Sequence, residues 1–405
     1  MKEIDYITEY IRSGENDGKR LGLELEHFVM DSLGRSVSFD MLSGMIEKVA
    51  ERLGADIAVI DGRVMGYSLE EYCVSVEPSC QLEISISPYE DLFKIRNIYD
   101  SFRDVWTEVL AEEGFYLVEN GIDPRVETGE MAPADLPLIP KKRYHYMDRY
   151  FLETGKYGRH MMRASASTQV SIDYISEKDL VRKLRVLEKI SPFLMLMMEN
   201  KSEKDSFLDD DKKVHLLRTQ VWDDLDPDRT GFLAGSLDKD YSYVKYAEDI
   251  LSKPLVVYTD KGETTYAGSK SIMEMGGLSE HLVEHLISMF FFHIRIKKYL
   301  EVRVADSVPI DKAIAYAALI KGILYDDDCL EEAEELLSDI RCIDDINEII
   351  NNIECDGIKA VCMDGISVGK MCIKIAHISA KGLTEDERGL LKELVPIPDF
   401  HAIAG

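Results

Sequence analysis

The stretch Leu21-Gly22-Leu23-Glu24-Leu25-Glu26 alternates apolar and polar residues with period two, as a strand half buried against a core does. Leu21, Leu23 and Leu25 face one way, Gly22, Glu24 and Glu26 the other. Three further stretches repeat the pattern. Leu82, Ile84 and Ile86 oppose Gln81, Glu83 and Ser85; Val170 and Ile172 oppose Gln169, Ser171 and Asp173; Leu300, Val302 and Val304 oppose Tyr299, Glu301 and Arg303. Each strand therefore has one apolar face and one face bearing carboxylates or amides. An antiparallel sheet covered by helices on one face produces this pattern, so the expected class is α+β.

Helices are signalled between these strands. Ser87-Pro88-Tyr89-Glu90 reads as a capping box, followed by Leu92, Ile95, Tyr99, Phe102, Trp106 and Val109 at helical spacing. Ser176 precedes Leu180, Leu184, Leu187 and Ile190, and a third helix is expected over residues 313–325. Residues 330–350 read as one amphipathic helix, acidic at its start where carboxylates suit the dipole. With no repeat and no low-complexity linker, the simplest organisation is one catalytic unit over 1–405, with a helical C-terminal part from about 310.

Composition narrows the function. Asp and Glu number 76 against 48 Lys and Arg, a formal charge of −28. That argues against non-specific nucleic-acid binding or an anionic membrane surface, while Mg²⁺ could still bridge carboxylates to phosphates. The N-terminus lacks the apolar core of a secretory signal, and the apolar run at residues 286–292 is far too short to span a membrane. Seven scattered cysteines without a C-x-x-C pair point to reduced thiols in the cytoplasm, a disulfide among the last five being the lesser reading.

Alternation puts Glu24 and Glu26 on the same side of a strand, about 7 Å apart. Two carboxylates so placed can converge on a hard cation such as Mg²⁺, with Glu83 and Glu301 adding ligands from other strands. The plainer alternative is that they face solvent on half-buried strands. Arg303, two residues after Glu301, suits the spreading charge of a transferred phosphoryl group, or a cross-strand salt bridge. The stretch Gly365-Ile366-Ser367-Val368-Gly369-Lys370-Met371 is one residue short of a P-loop and has Met where a metal-binding hydroxyl belongs, so it reads as a turn. No Rossmann fingerprint and no G-x-S-x-G elbow occur. One rival remains: His281-Leu282-Val283-Glu284-His285 fits H-x-x-E-H, an inverted zinc-peptidase pattern, or else the polar face of an apolar helix running to Phe292.

In order along the chain, these strands and their neighbours resemble the glutamate–cysteine ligase family, in its plant and proteobacterial branch. The matching pieces are residues 22–28, 81–85, Arg143-Tyr144-His145-Tyr146-Met147-Asp148-Arg149-Tyr150, residues 161–174, and the distinctive Val221-Trp222-Asp223-Asp224-Leu225-Asp226-Pro227-Asp228-Arg229-Thr230-Gly231. Arg295-Ile296-Lys297-Lys298-Tyr299-Leu300-Glu301-Val302-Arg303-Val304-Ala305-Asp306 and residues 322–326 complete the series. The resemblance implies a cup-shaped antiparallel sheet of the glutamine synthetase catalytic kind. It also implies ATP as co-substrate, Mg²⁺ or Mn²⁺, and glutamate activated as γ-glutamyl phosphate before attack by an amine, cysteine or another. By the same resemblance Glu24, Glu26, Glu83 and Glu301 are metal ligands, and Gln169 lies on the metal-site strand. Arg303 contacts phosphate, and Arg218, Trp222 and Arg229 fall in the substrate-binding stretch. Departures lie in the substrate wall: Glu199-Asn200-Lys201-Ser202-Glu203-Lys204 stands where the family reads Asn-Ser-Pro-Phe, Leu216-Leu217-Arg218 for Ser-Tyr-Arg, Phe291-Phe292 for Phe-Pro, and Gln169-Val170-Ser171 for Gln-Val-Asn. They bear on the amine acceptor more than on the phosphoryl chemistry. The sequence leaves the oligomeric state open.

Overall fold

The structure is a computed structural model that describes residues 2–202, 212–362 and 365–394; Glu203 and Lys204 of the departing segment lie outside them. The strands are β1 (Leu21–Asp31), β2 (Asp56–Ile60), β3 (Arg63–Ser68), β4 (Tyr72–Val76), β5 (Leu82–Tyr89), β6 (Phe115–Val118), β7 (Ser167–Ile172), β8 (Pro254–Asp260), β9 (Glu263–Ser271), β10 (Ile294–Ile296) and β11 (Leu300–Asp306). Nine of them form one sheet in the order β10-β11-β7-β1-β5-β4-β3-β2, with β6 also paired to β1. Every pairing is antiparallel. The sheet is open, and β8 and β9 form a separate hairpin.

The four alternating stretches are the central strands β1, β5, β7 and β11, and their apolar sides are buried as the pattern requires. Helix Leu92–Glu112 packs on β5 and β6, helix Glu177–Met197 on β11, and helix Ile310–Leu324 on β1. One apolar core runs from Ile7 to Leu394. His27, next to Glu26 on the core face of β1, is fully buried and satisfied: its ring nitrogens lie 3.1 Å from Leu82 O and 2.8 Å from Tyr99 Oη.

Helix boundaries differ from expectation in three places. Ser87-Pro88 does not cap a helix. β5 continues to Tyr89, Pro88 sits where the β1–β5 register shifts, and Asp91 caps the helix by accepting from Phe93 N and Lys94 N. A proline cannot donate to the ladder but is tolerated at such an irregularity. Residues 330–350 are not one helix but parts of two, Asp327–Leu336 and Ile343–Asp356, because Asp345 accepts from Arg341 N and Cys342 N and starts a new helix. The helix expected to reach Phe292 is only Val283–Ile287. Ser176 caps its helix as read, accepting from Asp179 N. All seven cysteines are free, so the disulfide reading falls. Among the described residues no helix is long and apolar enough to cross a membrane.

One buried acid lies far from the sheet's polar face. Glu188, on helix Glu177–Met197, is fully buried; one oxygen accepts from Ser236 Oγ and the other has no partner. Burial pushes its carboxyl up to about 8. A carboxyl whose folded value lies above the unfolded one supports the fold fully below about pH 4.5 and loses that support as pH rises towards 8. Glu188→Gln keeps a hydrogen-bonding amide and never ionises. Its Tm is therefore expected to exceed that of the parent by about 2 °C or more at pH 8.5, with the gain vanishing near pH 4.5. Thermal melts at both pH values check this, and a variant less stable at pH 8.5 would contradict it.

Candidate active site

Much of the polar faces of β1, β5, β7 and β11 is half-buried rather than fully exposed. They line an open cavity of about 340 Å³ together with residues from 77–78, 141–165, 222 and 288–297. Glu24, Glu26, Glu83, Gln169, Trp222, Glu301 and Arg303 all line it. Register explains the gathering: Glu26 pairs with Glu83 across β1 and β5, Glu24 with Gln169 across β1 and β7, and Glu301 with Arg295 across β10 and β11.

The cavity is electrically two-sided. On the β1–β5 side, Glu26 accepts from Ser167 N (2.8 Å), Ser167 Oγ (2.9 Å) and Gln169 Nε2 (3.2 Å). Glu83 accepts from Ser85 Oγ at 3.1 Å and Ser75 Oγ at 3.3 Å. These bonds do not match the charge. Burial, then Glu77, push Glu26 up to about 7. Burial and then Glu301 raise Glu24; burial, Glu77, Glu24 and Glu26 raise Glu83 well above the carboxylate range. On the β10–β11 side the balance reverses. Burial opposes ionisation of Glu301, which is fully buried, but Arg295, Lys297 and Arg303 outweigh it and hold the carboxyl far below its ordinary value.

Like charges driven together in a shared cavity mark a place for a cation. The donors are all oxygen, which suits Mg²⁺ or Mn²⁺ rather than zinc. Among the described residues, however, no three acids are drawn into a ready ligand shell. Glu26 and Glu83 are turned onto hydroxyls and amides, and Glu301 onto its three cations.

The remaining expected residues divide. Arg218 is buried beside the cavity in a recess shared with Trp222, Phe291, His293 and Arg303. Its guanidinium stands 5.5 Å from the Trp222 ring, and both Arg218 Nε and Trp222 Nε1 lack protein partners. Arg229 is not at the cavity. It is fully buried and spends its donors on Asp226 (2.6 Å), Met289 O (3.0 Å) and Pro254 O (3.0 Å). That makes it a brace between its own loop and the segments around it.

The zinc-peptidase alternative does not survive the geometry. His281 Nε2 lies 2.9 Å from Asp260 Oδ1, and His285 Nε2 lies 2.9 Å from Val257 O and 3.1 Å from Thr259 N. His281, in the 3-10 turn Glu280–Leu282, and His285, in the short helix Val283–Ile287, tie this segment to β8, and neither lines the carboxylate cavity.

Sequence reasoning missed Glu77, Lys141, Arg143, Tyr144, Arg295 and Lys297, all of which line the cavity. Tyr144 Oη donates to Glu77 (3.2 Å) and accepts from Lys141 Nζ (3.2 Å), while Arg143 is anchored on Ser288 O at 2.8 Å. Most sit in turns or at a helix start, where no periodicity points inward. Arg295 and Lys297 did carry a signal: they alternate from one arm of a hairpin into its turn, and the other arm alternates Glu301 and Arg303.

The chain is 28% identical over 407 residues to glutamate–cysteine ligase B, chloroplastic, of Oryza sativa subsp. japonica, covering 96% of this chain and 79% of that protein. It is 27% identical over 350 residues to the chloroplastic glutamate–cysteine ligase of Arabidopsis thaliana, covering 82% of this chain and 65% of that protein. In fold it is similar to the crystal structure of glutamate–cysteine ligase from Francisella tularensis in complex with AMP, with a TM-score of 0.52, 13% identity, and coverage of 95% of this chain and 83% of that one. That likeness extends to an antiparallel sheet packed with helices, the glutamine synthetase-like architecture. The model of glutamate–cysteine ligase family 2 matches residues 20–366, a span that takes in every strand and every cavity residue described above, and the chain belongs to that family.

Proposed function

We propose that this protein is an ATP-dependent glutamate–cysteine ligase, forming γ-glutamylcysteine through γ-glutamyl phosphate. The observation that carries the reading is the two-sided cavity in a chain of this family, with unneutralised carboxylates facing a cluster of cations. Such a cavity can take a metal–nucleotide complex on one wall and a transferring phosphoryl group on the other.

Glu24, Glu26 and Glu83 fit a divalent cation by their chemistry and because burial, with neighbouring acids, raises all three above the usual carboxylate range. Glu301 would be shared between such a cation and its three basic partners. Bound Mg²⁺ supplies charge neutralisation on the nucleotide phosphates. Arg303 reaches the moving phosphoryl oxygens, since it lines the cavity beside Glu301. Arg218, with its free Nε beside Trp222, suits a substrate carboxylate.

The side-chain carboxylate of glutamate attacks Pγ: its O–P bond forms as the bond from Pγ to the β–γ bridging oxygen breaks, and ADP keeps the electron pair. The neutral amine of cysteine then forms the C–N bond as the C–O bond to phosphate breaks; phosphate leaves with the electron pair, and the surplus N–H proton passes to solvent or to phosphate. No enzyme nucleophile is needed, so positioning and electrostatic stabilisation carry the catalysis. We take residues 1–405 as one catalytic unit on the strength of the continuous apolar core, and place it in the cytoplasm on its free, scattered cysteines.

Phosphate release with ATP, Mg²⁺ and glutamate across a panel of amino acids and amines tests the reading. Release is expected with cysteine, supported by Mg²⁺ or Mn²⁺ and insensitive to a zinc-selective chelator. Preference for another amine would move the substrate, and loss of activity to the chelator with recovery on Zn²⁺ would overturn the metal assignment.

A further inference from the structure

Lys297 stands in the turn between β10 and β11 and lines the cavity. It is one of three cations on Glu301. Arg295 Nε and Nη2 each lie 2.6 Å from Glu301 Oε2, Arg303 Nη1 lies 3.0 Å from the same oxygen, and Lys297 Nζ lies 3.3 Å from Oε1. The three are not equivalent. Arg295 also donates to Phe290 O at 3.1 Å, and Arg303 to Gln169 Oε1. Lys297 Nζ makes the one hydrogen bond to Glu301. Its ammonium also stands 4.7 Å from the centre of the Tyr299 ring; of its three donors one is hydrogen-bonded to a protein oxygen, and the side chain keeps 18% of its surface exposed. Three positive charges on one carboxylate also leave an excess that a polyanion would meet.

The backbone beneath Lys297 is held in place. Lys297 N donates to Tyr299 O at 2.8 Å; the hydroxyls of Tyr174 and Tyr246, both fully buried, lie 2.9 Å from Lys297 O and 3.2 Å from Ile296 O. Gly14 presses on the next residue: a Cβ there would fall 2.2 Å from Lys298 O, so the close approach requires glycine. A flexible side chain on a fixed turn, with donors to spare, is arranged to act on something that arrives.

We propose that Lys297 is a catalytic residue that contacts the transferring phosphoryl group, a role that rests on the ligase reading above. As the bond from Pγ to the bridging oxygen of ADP breaks and the bond to the glutamate carboxylate oxygen forms, negative charge spreads over the equatorial oxygens. Lys297 donates to one of them. Glutamate's own α-carboxylate offers the same anionic chemistry, and kinetics distinguish the two.

The test compares wild-type enzyme, Lys297→Met, which keeps the length of the side chain, and Lys297→Arg. The measurements are kcat, KM for glutamate, ATP affinity and Tm. Lys297→Met is expected to lose roughly 10²-fold in kcat, with ATP affinity and KM for glutamate changing far less, and Lys297→Arg to recover part of the loss. A fall in kcat no larger than the fall in ATP affinity overturns the proposal. So does a raised KM for glutamate at unchanged kcat, which makes Lys297 a carboxylate anchor, and so does a lower Tm with turnover intact. Wild-type ligation beside an unimpaired variant removes only this role, whereas a wild-type enzyme that does not ligate removes the function it rests on.

Discussion

Glu83→Gln is expected to lose ligation by about 10²-fold or more while the protein melts at a higher temperature than the parent in the absence of metal. The two effects have one cause. Glu83 sits directly opposite Glu26, with Glu77 and Glu24 also pressing on it, and two serine hydroxyls are its hydrogen-bond donors. Repulsion of this kind costs folding free energy, and an amide of the same shape relieves it. The same repulsion creates affinity for a divalent cation. Loss of an outer-shell partner of a metal typically costs 10–100-fold, so loss of a ligand should cost at least about 100-fold. Melts with and without Mg²⁺–ATP separate the terms: the parent should gain markedly on addition, because a ligand that binds the folded state stabilises it, and Glu83→Gln should gain little. Normal turnover in this variant would remove Glu83 from the metal site. Glu24→Gln and Glu26→Gln should lose turnover in the same way. Glu26 differs in stability, since it also accepts from the Ser167 backbone N–H and hydroxyl.

The central sheet was legible because its four middle strands each carry one buried and one polar face, and period two cannot be mistaken over such runs. The outer strands were not. β2 is exposed along its whole length, so its residues show no inside and outside, and β10 is three residues buried on both faces. Local signals misled where tertiary context overrode them. Pro88 looked like a helix start but lies at a strand irregularity, and the acidic run after Leu330 hid a break at which Asp345 recaps the chain. In the site, alternation alone could gather Glu24, Glu26, Glu83, Glu301, Gln169 and Arg303, because register converts shared parity into proximity. It could not show that Arg229 turns inward to brace Asp226, nor that Glu77, Lys141 and Tyr144 come from a turn and a helix start to line the cavity. The histidine motif shows the reverse: spacing was right for a metal, and each ring was already committed to the β8–β9 hairpin.

Arg303→Ala is expected to lower turnover by roughly 10²-fold or more while weakening ATP binding much less, by analogy with donors aimed at charge that develops only in the transition state. Arg303→Lys should recover part of the loss, since it restores the charge but not the planar fork. The competing account is a structural salt bridge: Arg303 Nη1 lies 3.0 Å from Glu301 Oε2 and also donates to Gln169 Oε1. The structure makes the two accounts separable. If Arg303 is removed, Glu301 keeps Arg295 through two bonds of 2.6 Å and Lys297 at 3.3 Å, so no unpaired buried charge results. The destabilisation should then be far smaller than the 3–5 kcal/mol typical of breaking a buried pair by removing one partner. Position adds to the argument. Arg303 borders both the cavity and the recess that holds Arg218, and its carbonyl accepts from Arg218 Nη1 at 3.3 Å. It therefore stands between the wall that would receive phosphate and the pocket that would receive a substrate carboxylate, where the bond between them forms. A variant with lowered Tm and parental turnover would leave Arg303 as a brace. Parental Tm with collapsed turnover and near-normal ATP affinity would place its interaction in the transition state.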